Sequence, residues 1–239
     1  FLDLLSDTLE LSPPQAFVLK QVIERIGDKI DSIEALIDVL ENFEDQSGWM
    51  RESRLALLRK LAPLKNSRYS RLVQFDNSTQ RFNSLIENAR SSTMIVGLAE
   101  IHNTVVRRIY SAMVIRSISE KALGNLLDKR VLLVIEEAQN YIDREKPLRM
   151  ISTMLAEIRK FGVGVVLVSQ SPSKLLEDAM INTNTKIIHS IKSSTDLDVV
   201  NKVLYLPFEY QRIIPYLDVG EAVVYTRGLK KPVIVKIEW

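Results

Sequence analysis

The 239-residue sequence contains no cysteine. Disulfide bonds and thiolate metal ligands are therefore impossible, and a structural zinc site is excluded in practice. The only two histidines, His102 and His189, lie far apart in the sequence, and nothing near them repeats at metal-ligand spacing. Packing or surface positions suit both histidines better than a metal site. The absence of cysteine also favours the reducing cytoplasm over secretion.

Long apolar runs are missing as well. The longest, such as residues 131–135 and 163–168, are far shorter than the roughly 20 residues that a membrane-spanning helix needs. We therefore expect no membrane anchor. The sequence starts at Phe1 with neither a methionine nor a basic leader, which favours a piece of a longer protein over a secretory precursor.

Neither sign of charge dominates, because 32 basic residues are balanced by 30 acidic ones, for a net charge of +2. Charge alone therefore does not predict a nucleic-acid partner. One local excess of basic residues lies between positions 51 and 71, and a solvated helix face explains it better than a phosphate-binding surface does. Its members are Arg51, Arg54, Arg59, Lys60, Lys65, Arg68 and Arg71.

Residues 1–92 are predicted to form a helical insertion or lid domain. Ser12, two prolines and Gln15 form a helix-start signal, which predicts a helix ending near Ile26. A second amphipathic helix is predicted around residues 33–40. A third is predicted from Trp49 to Leu64, limited by Pro63. The side chains predicted to face inward in this third helix are Leu55, Leu58, Leu61 and Ala62.

Residues 93–239 have the alternating pattern of an α/β domain. A buried strand is predicted at Thr93–Leu98, followed by a helix capped by Asn103 or Thr104. Further strands are predicted at residues 131–135, 164–169 and 186–191. Helices are predicted at residues 148–161 and from Thr195-Asp196 onwards, with Asp198 as the partner of the cap.

Strands and helices in short alternation predict a mostly parallel sheet that is covered on both faces. At the end of the chain, residues 221–226 and 232–237 flank a turn sequence and predict an antiparallel β-hairpin. The predicted fold class is therefore α/β, with an N-terminal helical domain and a C-terminal hairpin.

Two carboxylates follow the apolar strand Val131–Ile135, namely Glu136 and Glu137. In open parallel sheets, ligands bind at the carboxyl ends of the strands. One carboxylate there can hold Mg²⁺, and its neighbour can orient or deprotonate an attacking water. The alternative is a solvated strand end that carries acids by chance, and the decapeptide ending at Asn140 leaves this alternative open.

A second polar strand end follows along the chain. A cationic helix end, Arg159-Lys160, precedes Gly162, and the apolar strand after it leads to Ser169 and Gln170. On a parallel sheet Gln170 would emerge at the same edge as Glu137. An amide there can donate to a γ-phosphate and accept from a water.

These two segments resemble the corresponding motifs of the HerA/FtsK group of P-loop ATPases. The segment Val131–Asn140 resembles a Walker B motif with an added catalytic glutamate, and residues 157–173 resemble the helix, strand and "SQ-x-P-S" turn of HerA-type translocases. Residues 182–189, 194–198 and 217–222 resemble later segments of the same family in the same order. The resemblance covers about residues 94–239 and implies a partial RecA-like core.

The resemblance also implies roles for individual residues. Glu136 takes the magnesium side, either directly or through water, because many relatives have an aspartate at that position. Glu137 takes the water-activating position, and Gln170 takes the position of the sensor. Arg159 is the candidate arginine finger for a neighbouring subunit, and guanidinium geometry suits spread phosphate charge. An ordinary pair of Arg159 and Lys160 that complements the helix dipole is an equally good interpretation.

The sequence has no glycine-rich phosphate-binding loop that ends in Lys and Ser or Thr. In the resembled family this loop comes before the helical insertion, so we expect it upstream of Phe1. The alternative is a degenerate relative that has lost the loop. In either case, we expect no ATP hydrolysis by these 239 residues alone.

With an upstream loop, the resemblance implies an ATP- and Mg²⁺-dependent enzyme that forms a ring, hexameric in its relatives, and moves along double-stranded DNA. A nuclease that processes DNA ends is often the partner of such proteins. Two alternatives stay open: a conjugation or type IV secretion ATPase, and a non-catalytic scaffold derived from an ATPase.

Overall fold

The structure is a computed structural model and describes residues 2–26, 32–65, 93–127, 129–142 and 157–237. The chain divides into two compact units. The first comprises Phe1–Lys129 with Leu148–Ile151, and the second comprises Arg130–Pro147 with Ser152–Trp239. The predicted division into a helical domain, residues 1–92, and an α/β domain, residues 93–239, stays a prediction.

The described part of the first unit is mainly helical, with helices α1 (Leu2–Thr8), α2 (Pro13–Ile26), α3 (Ile33–Glu41), α4 (Gly48–Leu61) and α5 (Thr104–Leu123). Helices α2 and α3 match the first two predicted helices, and α4 ends in a 3₁₀ turn at Ala62–Leu64, where Pro63 was expected to limit it. An additional short helix, α1, was not predicted.

Side-chain caps explain where several of these helices begin. The Gln15 side chain accepts a hydrogen bond from the Ser12 backbone N–H at 3.1 Å, which is one half of the predicted capping box. Ser32 accepts from the Ala35 N–H at the start of α3. Asn103 accepts from two backbone N–H groups, those of Val105 and Val106, which confirms it as the cap of α5.

The predicted inward face of α4 is right for Leu61, which is buried, and wrong for Leu55 and Ala62. Leu55 is 44% exposed and Ala62 is exposed, whereas Met50, Leu57, Leu61 and Leu64 are buried. The buried residues are spaced by seven, four and three positions, which keeps them on one helical face. The predicted set combined residues from two neighbouring faces.

Part of the basic segment is structural. Arg54 donates two hydrogen bonds to Asp45, at 2.9 and 2.7 Å, and a third to the Leu40 carbonyl. The hydrogen bond from Arg54 lowers the pKa of the Asp45 carboxyl below its ordinary value of 3.8. Lys65 pairs with Glu41 at 2.6 Å. These contacts agree with a folded helix surface, while positions 68 and 71 lie outside the described residues.

The strand predicted at Thr93–Leu98 is wrong. These residues have no regular secondary structure, and most of their side chains are exposed, with Ile95 at 88%. Within the part of the chain that the structure describes, no strand pairs with this segment. An apolar run becomes a strand only when a neighbouring strand satisfies its backbone groups, and the described residues supply none.

In the second unit, β1 (Val131–Ile135) and β2 (Val163–Leu167) form a parallel pair in which Val131 is opposite Val163 and Ile135 is opposite Leu167. This confirms both strands and their parallel pairing. The expectation that both faces are covered is wrong for this structure, because Leu132 and Val134 are 67% and 50% exposed. Of the two faces, the one that carries Ile135 and Val163 is packed, and the described residues supply no cover for the other.

The helix predicted at residues 148–161 lies largely outside the described residues. Its described end is a 3₁₀ turn at Ile158–Phe161, and Gly162 follows with a φ of 83°. This left-handed backbone is accessible to glycine without strain, so Gly162 ends the turn as predicted.

The remaining strands form a separate antiparallel sheet in the order β3-β4-β5, composed of Thr185–Ile188, Glu221–Thr226 and Val233–Lys236. The C-terminal hairpin β4-β5 is confirmed. The expectation that β3 joins the parallel sheet is wrong, because β3 pairs antiparallel with β4. Antiparallel pairing lets the apolar face of β4 bury Val223 together with Ile188 in one core.

Helices α6 (Glu177–Asn182), α7 (Ser194–Leu204) and α8 (Phe208–Ile213) complete the second unit. The cap of α7 is Ser193, whose hydroxyl accepts from the Asp196 N–H, rather than the predicted Thr195. Asp196 therefore stands at the third helical position, where an acidic side chain suits the positive helix end. The sequence offered several adjacent capping residues, and the backbone at Ser193 is the extended one.

Candidate functional site

The two carboxylates that follow β1 lie on a bulge. A regular parallel ladder would bond the backbone of Val168 to Ile135 and to Glu137, two residues apart. Instead, the Val168 N–H donates to the Ile135 carbonyl at 3.0 Å, and the Val168 carbonyl accepts from the Ala138 N–H at 2.8 Å. One extra residue is therefore looped out on the β1 side, and bulges of this kind are frequent next to active sites.

The extra residue of the bulge is accommodated by an unusual backbone conformation at Glu137. Its φ and ψ are 50° and 44°, in the left-handed region. This region costs a residue with a side chain roughly 1–2 kcal/mol. The 3₁₀ turn Ala138–Asn140 follows immediately. Strain of this kind at a polar strand end is a reason to expect function there.

The Glu137 carboxylate is held by two amides. Gln170 donates from Nε2 to Glu137 Oε1 at 2.5 Å, and Gln139 donates from Nε2 to Glu137 Oε2 at 2.6 Å. The structure therefore brings Glu137 and Gln170 into direct contact, as the parallel strands predicted. Each carboxylate oxygen accepts a short charge-assisted hydrogen bond.

Two residues of this network were not predicted as site residues, namely Gln139 and Ser169. The Ser169 hydroxyl donates to Gln139 Oε1 at 2.7 Å and accepts from the Ser171 N–H at 3.1 Å. In the sequence, only their positions near the predicted site residues could have indicated a role. Gln139 follows Glu137 by two residues, and Ser169 immediately precedes Gln170.

The turn after Gln170 is held by a carboxylate from another element. The Ser173 N–H donates to Asp196 Oδ1 at 2.9 Å. Burial raises the pKa of Asp196, but hydrogen bonds from Ser173 and Ser193 outweigh it, so that the pKa lies below its ordinary value of 3.8. Asp196 therefore links the start of α7 to the segment that carries Gln170. Sequence reasoning treated it only as a helix-start residue.

Glu136 lies beside Glu137 with an exposed side chain. Among the described residues, no group of three or more His, Cys, Asp or Glu side chains could hold a metal ion. Mg²⁺ in phosphate-transfer sites commonly uses one or two carboxylates and completes its shell with water and substrate phosphates. A single exposed carboxylate fits that kind of site, and it does not fit an all-protein metal cage.

Arg159 lies at the other end of the sheet. It precedes β2, whereas Gln170 follows β2, and the five residues of that strand span about 16 Å at the usual rise of about 3.3 Å per residue. The Arg159 side chain is exposed. The structure thus brings together Glu137 and Gln170 but leaves Arg159 away from them.

Several HerA helicases are similar to this chain. The DNA double-strand break repair helicase HerA of Pyrococcus furiosus is 38% identical over 111 residues, which are 45% of this chain and 20% of that protein. The HerA helicase of Saccharolobus solfataricus is 28% identical over 181 residues, which are 72% of this chain and 35% of that protein. The matches thus span well under half the length of these relatives. They confirm the resemblance inferred from the motifs.

VirB4 and a conjugative coupling protein are among the solved structures with a similar fold. VirB4 of Thermoanaerobacter pseudethanolicus matches with a TM-score of 0.70 and 14% identity, covering 100% of this chain and 67% of that chain. The bacterial conjugative coupling protein TrwBΔN70 matches with a TM-score of 0.70 and 14% identity, covering 99% and 68%. The predicted α/β fold class is therefore confirmed, and the chain shares its fold with VirB4 and TrwBΔN70.

No protein-family model matches the chain. Among the helices of the described residues, none is both long and apolar enough to cross a membrane.

Proposed function

We propose that this chain is the C-terminal part of the motor domain of an ATP-driven translocase or helicase that moves along double-stranded DNA and acts in DNA end processing in the cytoplasm. The observation that carries the proposal is the contact of Glu137 with Gln170 at the carboxyl edge of the parallel strands. The similarity to HerA helicases supports the choice of DNA as the substrate.

Glu137 acts as the general base in this proposal. One of its carboxylate oxygens takes a proton from the water that attacks the γ-phosphate of ATP. Gln170 orients that water or binds the γ-phosphate, because its amide can both donate and accept hydrogen bonds. Glu136 holds Mg²⁺ directly or through water. Bound Mg²⁺ would neutralise charge on the β- and γ-phosphates.

Arg159 serves a neighbouring subunit. Its position, about a strand length from Gln170 as estimated from strand rise, does not suit a role at its own Glu137, and its exposed side chain is available to a partner. A ring of identical subunits, six in the resembled family, brings such an arginine to the next nucleotide. Its guanidinium would stabilise the charge that spreads over the transferred phosphoryl group.

The phosphate-binding loop is supplied by a part of the protein outside these 239 residues. The limited coverage of the HerA relatives supports this view, since 20 and 35% of their lengths are matched. The chain by itself is then inactive, and functional tests require the full-length protein. A nuclease is the partner that DNA end processing would need.

The test is ATP hydrolysis by the full-length protein at increasing salt, with and without blunt duplex DNA. Duplex should stimulate hydrolysis, and the stimulation should fall steeply with salt, because phosphate contacts release counterions. Single-stranded DNA of the same length is the matched control. Equal stimulation by the single strand, or none by duplex, would favour the conjugation or secretion type of ATPase.

A scaffold without catalysis is distinguished in the same assay. If the full-length protein binds no ATP and has no hydrolysis above background, the enzymatic proposal is wrong. Reading the coding sequence upstream of Phe1 adds an independent check, since the proposal requires a Gly-rich loop ending in Lys and Ser or Thr there.

A further inference from the structure

A chain of hydrogen bonds leads from the Ser171 backbone through Ser169 and Gln139 to Glu137. The Ser171 N–H can only donate, and it donates to the Ser169 hydroxyl oxygen. That hydroxyl donates its own hydrogen to Gln139 Oε1. The Glu137 carboxylate can only accept, so the Gln139 amide must present its NH₂ group to Glu137, which it does at 2.6 Å, and its Oε1 to Ser169. The orientation of this amide is fixed by its partners.

The two amides that hold Glu137 differ in freedom. Gln139 is only 8% exposed, so its amide depends on its protein partners and has little water to replace them. Gln170 is exposed and comes from the turn after β2. A nucleotide phosphate can therefore draw Gln170 away from Glu137 Oε1, whereas Gln139 stays on Oε2.

We propose that Gln139, oriented by Ser169, is the positioning residue that keeps the Glu137 carboxylate aimed while Gln170 exchanges between Glu137 and the phosphate. The proposal rests on the proposed function, because it assigns a support to the proposed base. Without Gln139, the left-handed backbone at Glu137 would still present the side chain, but its rotation would be unrestrained. With Gln139, one oxygen is anchored and the other is released for the attacking water.

The first test compares variants at position 139 in ATP hydrolysis by the full-length protein. Gln139→Leu keeps a similar volume and removes both hydrogen-bonding groups, so kcat should fall about 10- to 100-fold, the usual effect of removing a supporting partner. KM for ATP should not change, since Gln139 does not contact nucleotide. Gln139→His should restore much of kcat, because neutral imidazole has one donor and one acceptor, as the amide has.

The second test asks whether Ser169 acts through Gln139. Ser169→Ala should lower kcat by less than Gln139→Leu does, and Ser169→Thr, which keeps the hydroxyl, should not lower it. The double variant S169A/Q139L should be as slow as Q139L alone, because the two residues form one chain. Ser194→Ala, an exposed serine at the start of α7, is the matched control and should have normal kcat.

The outcomes distinguish the positioning role of Gln139 from the proposed function of the protein. If Glu137→Gln slows turnover but Gln139→Leu and Ser169→Ala do not, the positioning role is wrong and the proposed function stands. If Gln139→His is as slow as Gln139→Leu, or the double variant loses the product of both effects, the relay is wrong. If Glu137→Gln has normal turnover, Glu137 is not the general base, and the positioning role of Gln139 is then wrong as well. Should Gln139→Leu not fold, equal kcat in Ser169→Ala and Ser169→Thr would overturn the proposal.

Discussion

Glycine at position 137 should give a more stable protein than alanine at the same position. Glu137 has left-handed backbone angles, with φ at 50° and ψ at 44°. Both substitutions remove the carboxylate and therefore lose the same hydrogen bonds to Gln139 and Gln170. The comparison between the two variants thus isolates the backbone, because only alanine carries the Cβ that makes this region unfavourable.

The magnitude follows from two opposing effects. A left-handed conformation costs a non-glycine residue about 1–2 kcal/mol. Glycine loses more conformational freedom on folding, which costs about 0.5–1 kcal/mol relative to alanine. Glycine should therefore exceed alanine by about 0.5–1 kcal/mol in the free energy of unfolding, which is a rise of about 1–4 °C in Tm for a protein of this size.

The assay is equilibrium denaturation by urea, with a matched pair of variants as the control. Asp198 is exposed in the middle of α7, so glycine there should be less stable than alanine by about 1 kcal/mol. The sign of the difference between glycine and alanine should thus reverse from position 198 to position 137. If alanine is the more stable residue at both positions, the bulge and its left-handed residue are wrong.

Two further predictions concern the carboxylate that holds the turn after Gln170. Asp196→Ala should lower the free energy of unfolding by about 1–3 kcal/mol, because the partly buried Ser173 N–H loses its acceptor. Calorimetry would measure this, and a change within error would contradict it. Because the pKa of Asp196 is lowered in the folded state, its ionisation stabilises the fold above about pH 4, and this contribution is lost as the pH falls through the folded pKa. The difference in stability between the parent protein and Asp196→Asn should therefore shrink between pH 5 and very acidic pH, as estimated from this linkage, and a constant difference would contradict the cause assigned to the shift.

The elements that the sequence predicted well are those decided by local chemistry. Asn103 caps α5 because a side-chain oxygen can reach the first N–H groups of a helix. Gly162 ends its turn because only glycine adopts that backbone without strain. The meeting of Glu137 and Gln170 was also predictable, since the carboxyl ends of neighbouring parallel strands lie at one edge of a sheet.

The elements that failed depend on partners far away in the chain. The apolar run Thr93–Leu98 has the composition of a strand, but a strand also needs a neighbour, and composition does not specify one. The antiparallel pairing of β3 with β4 joins segments separated by about 30 residues, and no local pattern encodes that choice. Tertiary contacts decided both cases.

The site itself was predicted only in part for a related reason. Glu136, Glu137 and Gln170 could be selected because they are polar residues that end apolar strands. Gln139 and Ser169 gain their roles from the bulge that adds one residue after β1. This bulge is defined by the backbone hydrogen bonds of Val168, and the sequence does not encode it in a local pattern. Arg159 stays a proposal, because its role requires a second subunit.

The role of Glu137 as the general base is tested by the rate of ATP hydrolysis by full-length Glu137→Gln, with ATP binding measured separately on the same preparation. The substitution keeps the size of the side chain and removes its ability to accept a proton. We expect ATP to bind as tightly as before and turnover to fall on the order of 10²- to 10⁴-fold, the usual contribution of a positioned base. Turnover equal to that of the parent protein would contradict the role of Glu137 as the general base.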